Sequence, residues 1–369
     1  MSISFIDYEI QENLYSTREM KNICNEQTRL QRFLDVEAAL AYAEGETGII
    51  PKEAAKEISL KANLKIFDMK NVKSSYKVNM NSIIPLINEL KRICSEDTSG
   101  YVHYGATTQD IVDTALVLEA KDFLKVITNR LNILDELLRT LTSKHKRTVM
   151  IGRTHGQFAL PITFGLKTAI WLQEMRRNAH RINSLQSRIL VGQLTGAVGT
   201  ATIFGIKGTI IGTLAMKKLG LKYTNLSWHN ARDNMAELSS TISICAGTVG
   251  KIANEIFFLN RSDIQELHEI KEKDTSAGSS TMPHKNNPVY SERIIVLVKH
   301  IHALNNVVLN SMMCENERDP RSLWAEWLVY PQLFVYFDAA LEYLIKILQN
   351  ISINEKRMFK NFTFTAPPC

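Results

Sequence analysis

Apolar residues recur at the helical period along most of this chain. Over residues 120–141 they fall at Ala120, Phe123, Leu124, Ile127, Leu131, Leu134, Leu138 and Leu141. That three-and-four spacing lines one face of a helix. Similar stretches cover about 163–190, 233–264, 287–314 and 323–351. No proline lies between Pro161 and Pro283, and proline breaks helix interiors, so long uninterrupted helices are predicted. Pro331 lies inside the last stretch and predicts a kink or a restart there. Strand-like alternation is scarce and short. The pattern predicts an all-α chain built around a bundle of about five long helices.

Several of these helices are apolar on more than one side. Ile242, Ile244, Cys245, Ala246, Val249, Ile252, Ala253, Ile256, Phe257 and Phe258 cover well over a third of a helical wheel. A helix covered that widely is buried on several sides, and in a bundle one side can face another subunit, so a homo-oligomer is expected. Residues 1–100 differ. They hold shorter helical stretches, 26–46 and 85–93, with breaks near Gly48, Pro51 and Asn81, and are read as a small helical domain. The segment 191–220 carries seven glycines and reads as an irregular or close-approach segment between two long helices.

Composition narrows the class. The chain has 369 residues, 45% hydrophobic and 22% charged, enough apolar material for a core and too much for a disordered or collagen-like chain. No run of about 18 apolar residues lacks polar breaks, which argues against a membrane span. The first residues show no basic-then-apolar signal region. Five cysteines are scattered without a CxxC pair, so neither a disulfide framework nor a zinc site is indicated and the cytoplasm is the expected compartment. No HxxxH pair with an acidic third ligand occurs among the nine histidines, and no metal or organic cofactor is expected. The net charge of +6 fits a mixed solvated surface or an anionic small molecule. Basic residues form no dense block, so nucleic acid is not an expected partner.

Three polar, glycine-containing islands interrupt the helical pattern: His103-Tyr-Gly-Ala-Thr-Thr-Gln-Asp110, Gly152-Arg-Thr-His-Gly-Gln157 and Thr275-Ser-Ala-Gly-Ser-Ser-Thr-Met-Pro-His-Lys-Asn-Asn-Pro288. Each allows a plain reading as caps and turns. Thr108 would cap a helix starting near Gln109, Gly152 would end the preceding helix, and Asn287-Pro288 would start the next. The third island is long for a mere connection. Its hydroxyls, lysine ammonium, amides and flexible backbone suit an anion.

Gly278-Ser-Ser-Thr-Met-Pro-His-Lys-Asn-Asn-Pro288 resembles the signature loop of the fumarase/aspartase superfamily, G-S-S-x-M-P-x-K-x-N-P, at every fixed position. Residues 103–115 resemble that superfamily's H-x-G-x-T-S-x-D-x-x-D-T-A segment, with Thr108 in place of serine. Residues 152–165 resemble its G-R-T-H-G-Q-x-A-x-P-x-T-F-G segment. The likeness runs from about Leu14 to Asn361 and is greatest to adenylosuccinate lyases and bacterial 3-carboxy-cis,cis-muconate cycloisomerases.

The resemblance implies removal of a proton beside a carboxylate and expulsion of a group from the next carbon. Ser279 is the implied general base, His155 the implied general acid, and Glu292 the carboxylate that orients His155. Lys285 and Asn287 are implied to hold a substrate carboxylate. Thr107 and Thr108 are implied to bind another with hydroxyls and helix N-terminal amides. Gln193 or Thr195 is a candidate contact from the glycine-rich segment, Gln109 a weaker one. Arg318 matches an arginine near the active site, with a helix-end ion pair as the alternative. The implied substrate is a small anionic dicarboxylate, and the implied assembly is a homotetramer whose sites draw on three subunits.

The first expectation is a succinyl-amine elimination that releases fumarate. The alternative is a lactonising cycloisomerase, and a non-catalytic relative is a remote third. Leu14-Tyr15 stands where adenylosuccinate lyases carry Arg-Tyr. Pro320-Arg-Ser-Leu-Trp-Ala-Glu-Trp327 follows the cycloisomerase pattern, and no histidine occurs near Lys77–Met80. These departures leave a nucleotide substrate open. On the same resemblance, residues 101–355 are expected to form the central bundle. Residues 356–369 are expected to begin a C-terminal domain that is missing or truncated.

Overall fold

The computed structural model describes residues 4–270 and 286–363. Its first part holds α1 (Arg18–Cys24), α2 (Glu26–Thr47), α3 (Lys52–Lys61), α4 (Met69–Asn79), α5 (Ile84–Ile93) and α6 (Glu96–Ser99). Then come α7 (Thr108–Lys144), α8 (Phe164–Ile189), α9 (Gly208–Leu219), α10 (Asp233–Leu259), α11 (Val289–Asn310), α12 (Pro320–Asn350) and α13 (Glu355–Thr363). The long helices α7, α8, α10, α11 and α12 pack on one another as the predicted bundle, and α2 lies against α7 and α9. The described strands form three short pairs. β1 (Val149–Thr154) runs antiparallel to β2 (Gln157–Thr163), β3 (Val191–Gly192) parallel to β4 (Lys222–Tyr223), and β5 (Leu267–Glu269) antiparallel to β6 (Ile351–Ile353).

Local chemistry sets where these helices begin. Asn25 accepts from the Thr28 N–H at 2.9 Å to open α2, and Thr163 accepts from the Leu166 N–H at 3.0 Å to open α8. Asp319 accepts from the Arg321 N–H at 3.0 Å, with Pro320 at the first helical position of α12. α11 has no side-chain cap of its own. Glu269 of β5 supplies one, accepting from the N–H groups of Tyr290 at 3.1 Å and Ser291 at 2.9 Å.

Three local expectations are corrected. Thr107, not Thr108, is the cap of α7, and Asp110 accepts from the Thr107 N–H at 3.0 Å. Gly152 ends no helix; it lies in β1 at an irregularity of register, where a Cβ would sit 2.7 Å from the Leu160 carbonyl oxygen. The segment 191–220 is not wholly irregular, since its second half is α9. Gly212 on that helix leaves room for Tyr223, whose ring would lie 2.2 Å from an added Cβ.

Pro331 does not restart α12, which runs continuously through it. An interior proline costs about 3 kcal/mol. Its neighbours Tyr330, Leu333 and Phe334 are completely buried, at about 1.5–3 kcal/mol each, so packing outweighs the lost hydrogen bond. Phe334 stacks on Phe123 of α7 with ring centroids 4.0 Å apart. By length and composition α10 alone among the described helices would be apolar enough to cross a membrane. It is packed against α8, α11 and α12, and Ile242, Val249, Ile252 and Ile256 are fully buried, as in a core helix.

The bundle alternates in direction, and this places the islands. Asp113 near the start of α7, Arg232 before α10 and Glu326 near the start of α12 are bonded together. The loop after α8 joins them through Gln193 and Asp113. At the other end Gly165 of α8 donates to the His145 carbonyl just after α7. There too Arg153 pairs with Glu266, Glu269 caps α11, and β5 joins β6. The 37-residue α7 spans the distance between the ends, about 55 Å at 1.5 Å per residue.

Candidate active site

At one end, the site is built on the mouth of α7. Thr107 and Thr108 are half-buried where the helix presents its unpaired N–H groups. Arg318, exposed in the loop before α12, donates to the Thr107 hydroxyl. Two residues 211 positions apart are thus joined into one cationic, hydroxyl-bearing end. The helix-end ion pair weighed for Arg318 belongs instead to Arg321, which bonds Asp319 at 2.7 Å. A hydroxyl, a guanidinium and a helix N-terminus are a fitting receptor for a carboxylate.

Beneath it lies a buried polar layer. Arg232, 2% exposed, donates to both oxygens of Asp113 at 2.8 and 3.0 Å and to Glu326 at 3.0 Å. Burial works against its charge, but Asp113 and Glu326 outweigh it and hold the guanidinium protonated. Asp110, also fully buried, accepts from the backbone N–H groups of Thr195 and Gly196, each at 2.9 Å, and lies 3.0 Å from His229 Nε2. These bonds fasten the glycine-rich loop to α7. Gly196, with φ of +76°, makes the close turn.

Gln193, a candidate substrate contact, is held in this layer. Its side chain is fully buried, donating to Asp113 at 2.9 Å and accepting from the Trp228 N–H at 2.9 Å. Thr195 is likewise buried. Gln109 takes on more weight. Its amide donates to Asp113 at 3.1 Å and the His229 carbonyl at 2.8 Å. Both partners are acceptors, which fixes the amide orientation and leaves Oε1 without a partner among the described residues.

Thr108, Gln109 and Arg318 border a cleft of about 1300 Å³. Its walls come from α2, α4, α5, α7 and α12, including Phe33, Tyr76, Met80, Leu323, Trp324, Trp327 and Leu328. The segment Pro320–Trp327, singled out by sequence for its departure from the adenylosuccinate lyase pattern, forms part of this wall.

The remaining sequence-chosen residues stand at the opposite end. His155 and Gly156, with φ of +52° and +73°, are the two turn residues of the β1–β2 hairpin. Two positive values in a two-residue turn match the strand twist and hold the imidazole out, exposed. Glu292 is exposed in the first turn of α11, and Asn287 is half-buried just before it. Asn286 ties this stretch to the Glu269 carbonyl at 3.1 Å. No hydrogen bond or ion pair joins His155 to Glu292 among the described residues. Ser279 and Lys285 lie outside the described residues. Among the described residues, no group of three or more His, Cys, Asp or Glu side chains is placed to hold a metal ion.

Asp110, Asp113, Arg232 and Glu326 received no role from sequence. Asp113 carried a signal, an acid set among the apolar Ile111, Val112, Ala115 and Leu116. Its partners are 119 and 94 positions from one another along Asp113–Arg232–Glu326, beyond any local pattern.

Comparison with known proteins defines the class to which this long helical bundle belongs. The family described as Lyase matches residues 12–302, and the chain belongs to the fumarase/aspartase superfamily of lyases. An N-acetyl-S-(2-succino)cysteine lyase of Dickeya dadantii is 39% identical over 361 residues, 98% of this chain and 79% of the relative. An adenylosuccinate lyase of Pyrococcus abyssi is 39% identical over 370 residues, 99% of this chain and 80% of the relative. The crystal structure of a 3-carboxy-cis,cis-muconate lactonizing enzyme from Pseudomonas putida superposes with a TM-score of 0.90 at 32% identity, covering 96% of this chain and 80% of the other. The chain is a lyase of this superfamily.

Proposed function

We propose that this lyase acts on a small, non-nucleotide polycarboxylate. The observation that supports this is the wall of the cleft. The anion receptor of Thr107, Thr108 and Arg318 opens onto Leu323, Trp324, Trp327 and Leu328, an apolar surface suited to a compact carbon skeleton. In this reading the receptor holds one substrate carboxylate while a base removes the neighbouring proton. The developing aci-carboxylate is stabilised by Arg318 and the α7 N-terminus, with Lys285 and Asn287 on the other carboxylate. Ser279 is the base and His155, steered by Glu292, the acid.

The favoured reading is the carboxymuconate reaction, run by the same groups in the opposite sense, with the protonated base delivering its proton to carbon. There a substrate carboxylate closes onto a double bond and the adjacent carbon takes the proton, an addition that is the reverse sense of an elimination. The likeness to the Pseudomonas putida lactonizing enzyme supports it. A second reading is elimination from a 2-succinyl thioether, supported by the Dickeya dadantii relative. The C–S bond breaks, the thiolate leaves and fumarate remains. A thiolate, with a thiol pKa of about 8.5, needs less help from an acid than an amine does.

The reading also requires an oligomer. Thr107 and His155 stand at opposite ends of one bundle, on the order of 50 Å apart, so no single chain brings them together. Leu166 and Ile170 on α8, Ile244 on α10 and Val296 on α11 are exposed apolar side chains on the long helices, which suits a tetramer with shared sites.

The test is an absorbance assay with adenylosuccinate, N-acetyl-S-(2-succino)cysteine and carboxymuconate, with Ser279→Ala as the control. Turnover of carboxymuconate without fumarate supports the first reading. Fumarate from the thioether selects the second. Turnover of adenylosuccinate alone overturns the non-nucleotide proposal.

A further inference from the structure

The turn that carries His155 has little packing to hold it. Its hairpin is a two-stranded pair with no third strand, and such a pair alone is marginal in water. β2 leaves residues 157–161 exposed, with Phe158 and Leu160 facing solvent. Among the described residues, Arg153 is the one member of 152–158 whose side chain is hydrogen-bonded to the rest of the chain. Its guanidinium donates to both oxygens of Glu266, at 3.0 and 2.6 Å, and lies over the ring of Phe258 of α10, 5.8 Å from the centroid. Glu266 is completely buried between the end of α10 and β5. A third side-chain bond reaches it from α13, where Asn361 donates at 2.8 Å. Its backbone is fixed as well. The Glu266 N–H donates to the Leu259 carbonyl at 2.9 Å, and its carbonyl accepts from the Asn354 N–H at 3.0 Å.

We infer that Arg153, gripped by Glu266, is a positioning residue for the His155 imidazole, and that Asn361 of α13 completes the grip. The inference rests on the reading of His155 as the general acid. Spacing supports it. Two residue steps span at most about 7 Å, so a shift at Arg153 is passed on to the turn. A general acid works only within hydrogen-bond reach of the atom that takes its proton. The energetics of the pair point the same way. A buried ion pair adds little stability over an apolar pair of the same volume, whereas two parallel bonds from a planar guanidinium fix one geometry. The anchor also serves the other motif at this end. Three residues beyond Glu266, Glu269 caps α11, so one short strand sets both the His155 hairpin and the helix turn that bears Glu292.

The experiment measures kcat, KM and melting temperature of the full chain on the panel substrate it turns over. The variants are Arg153→Met, Arg153→Lys, Asn361→Ala and the double variant Arg153→Met, Glu266→Met. Arg153→Met should lower kcat about 10- to 100-fold with KM within about twofold of the parent. It also strands a buried carboxylate, so its melting temperature should fall. The double variant removes both charges. Its melting temperature should return towards the parent's while kcat stays low, because the fixed geometry is gone. Arg153→Lys keeps the charge without the planar fork and should lose less than Arg153→Met. Asn361→Ala should also lose less, since two of the three bonds to Glu266 remain. A kcat that recovers together with the melting temperature in the double variant would make the pair a purely structural one and overturn the inference. Should the double variant not fold, Arg153→Lys decides: a lower kcat at unchanged KM and melting temperature supports positioning, and the parent's kcat overturns it. His155→Ala is the control. If it loses activity while Arg153→Met keeps the parent's kcat, the inference falls alone. If His155→Ala keeps the parent's kcat, or no panel substrate turns over, both readings fall together.

Discussion

Arg318 reaches the Thr107 hydroxyl from a loop, and its guanidinium has no carboxylate partner among the described residues. A substrate carboxylate is therefore free to take it. Replacing it with glutamine should lower kcat/KM about 100-fold, the scale for losing one donor to a developing oxyanion. Arg318→Lys should recover only part, since an ammonium lacks the planar fork. A different effect belongs to Glu44 of α2. It is fully buried, and neither carboxylate oxygen has a partner among the described residues. Burial, with nearby Glu37 adding to it, pushes its pKa up to about 9 from 4.5. The folded chain thus holds a proton that the unfolded chain releases. This contribution to stability is complete below the unfolded pKa and is lost as pH rises towards the folded one. Glu44→Gln should raise stability by about 2–4 kcal/mol at pH 8 and flatten the dependence of melting temperature between about pH 5 and 9. A profile as steep as the parent's would refute the assignment.

Elements carry the next lesson. The five bundle helices were legible because a helix that buries a face repeats its apolar positions, and no proline falls in 163–282. The restart at Pro331 and the irregular loop over α9 were misread for one reason: local propensity weighs proline and glycine as breakers, whereas their neighbours decide. Packing around Tyr330 and Phe334 carries α12 through Pro331, and Tyr223 occupies the space Gly212 leaves. Of the site, the motif residues were legible one by one. The Asp113–Arg232–Glu326 cluster was not, because it forms only when three helix starts converge. It should behave as one unit. Arg232→Met leaves two buried carboxylates facing each other and should cost about 3–5 kcal/mol. Denaturant titration measures the loss, and a loss below about 1 kcal/mol would show that the cluster does not fasten the three helices. At the β1–β2 irregularity, Gly152→Ala sets a Cβ against the Leu160 carbonyl and should lower stability by about 1–3 kcal/mol. Its effect on activity should come through the His155 turn, which that hairpin holds.

At the scale of the whole molecule, the bundle is a rod with Thr107 and Arg318 at one end and the His155 imidazole at the other. Light scattering should find a homo-oligomer, and a monomer that turns over substrate would contradict the shared site. Complementation is a sharper measurement. Thr107→Val and His155→Ala chains, each inactive alone, should regain a fraction of the activity when unfolded together and refolded as a mixture, because some sites then receive an intact receptor from one chain and an intact imidazole from another. No regain in properly assembled mixtures would overturn the shared site. The length of α7 has one more consequence. With the shared site proposed above, a rod that cannot fold its two ends together makes catalysis a property of a population of chains. Below the dissociation constant of the assembly, rate should rise more steeply than the first power of protein concentration. The quantity of this protein then decides both how fast the reaction runs and whether any catalyst exists at all.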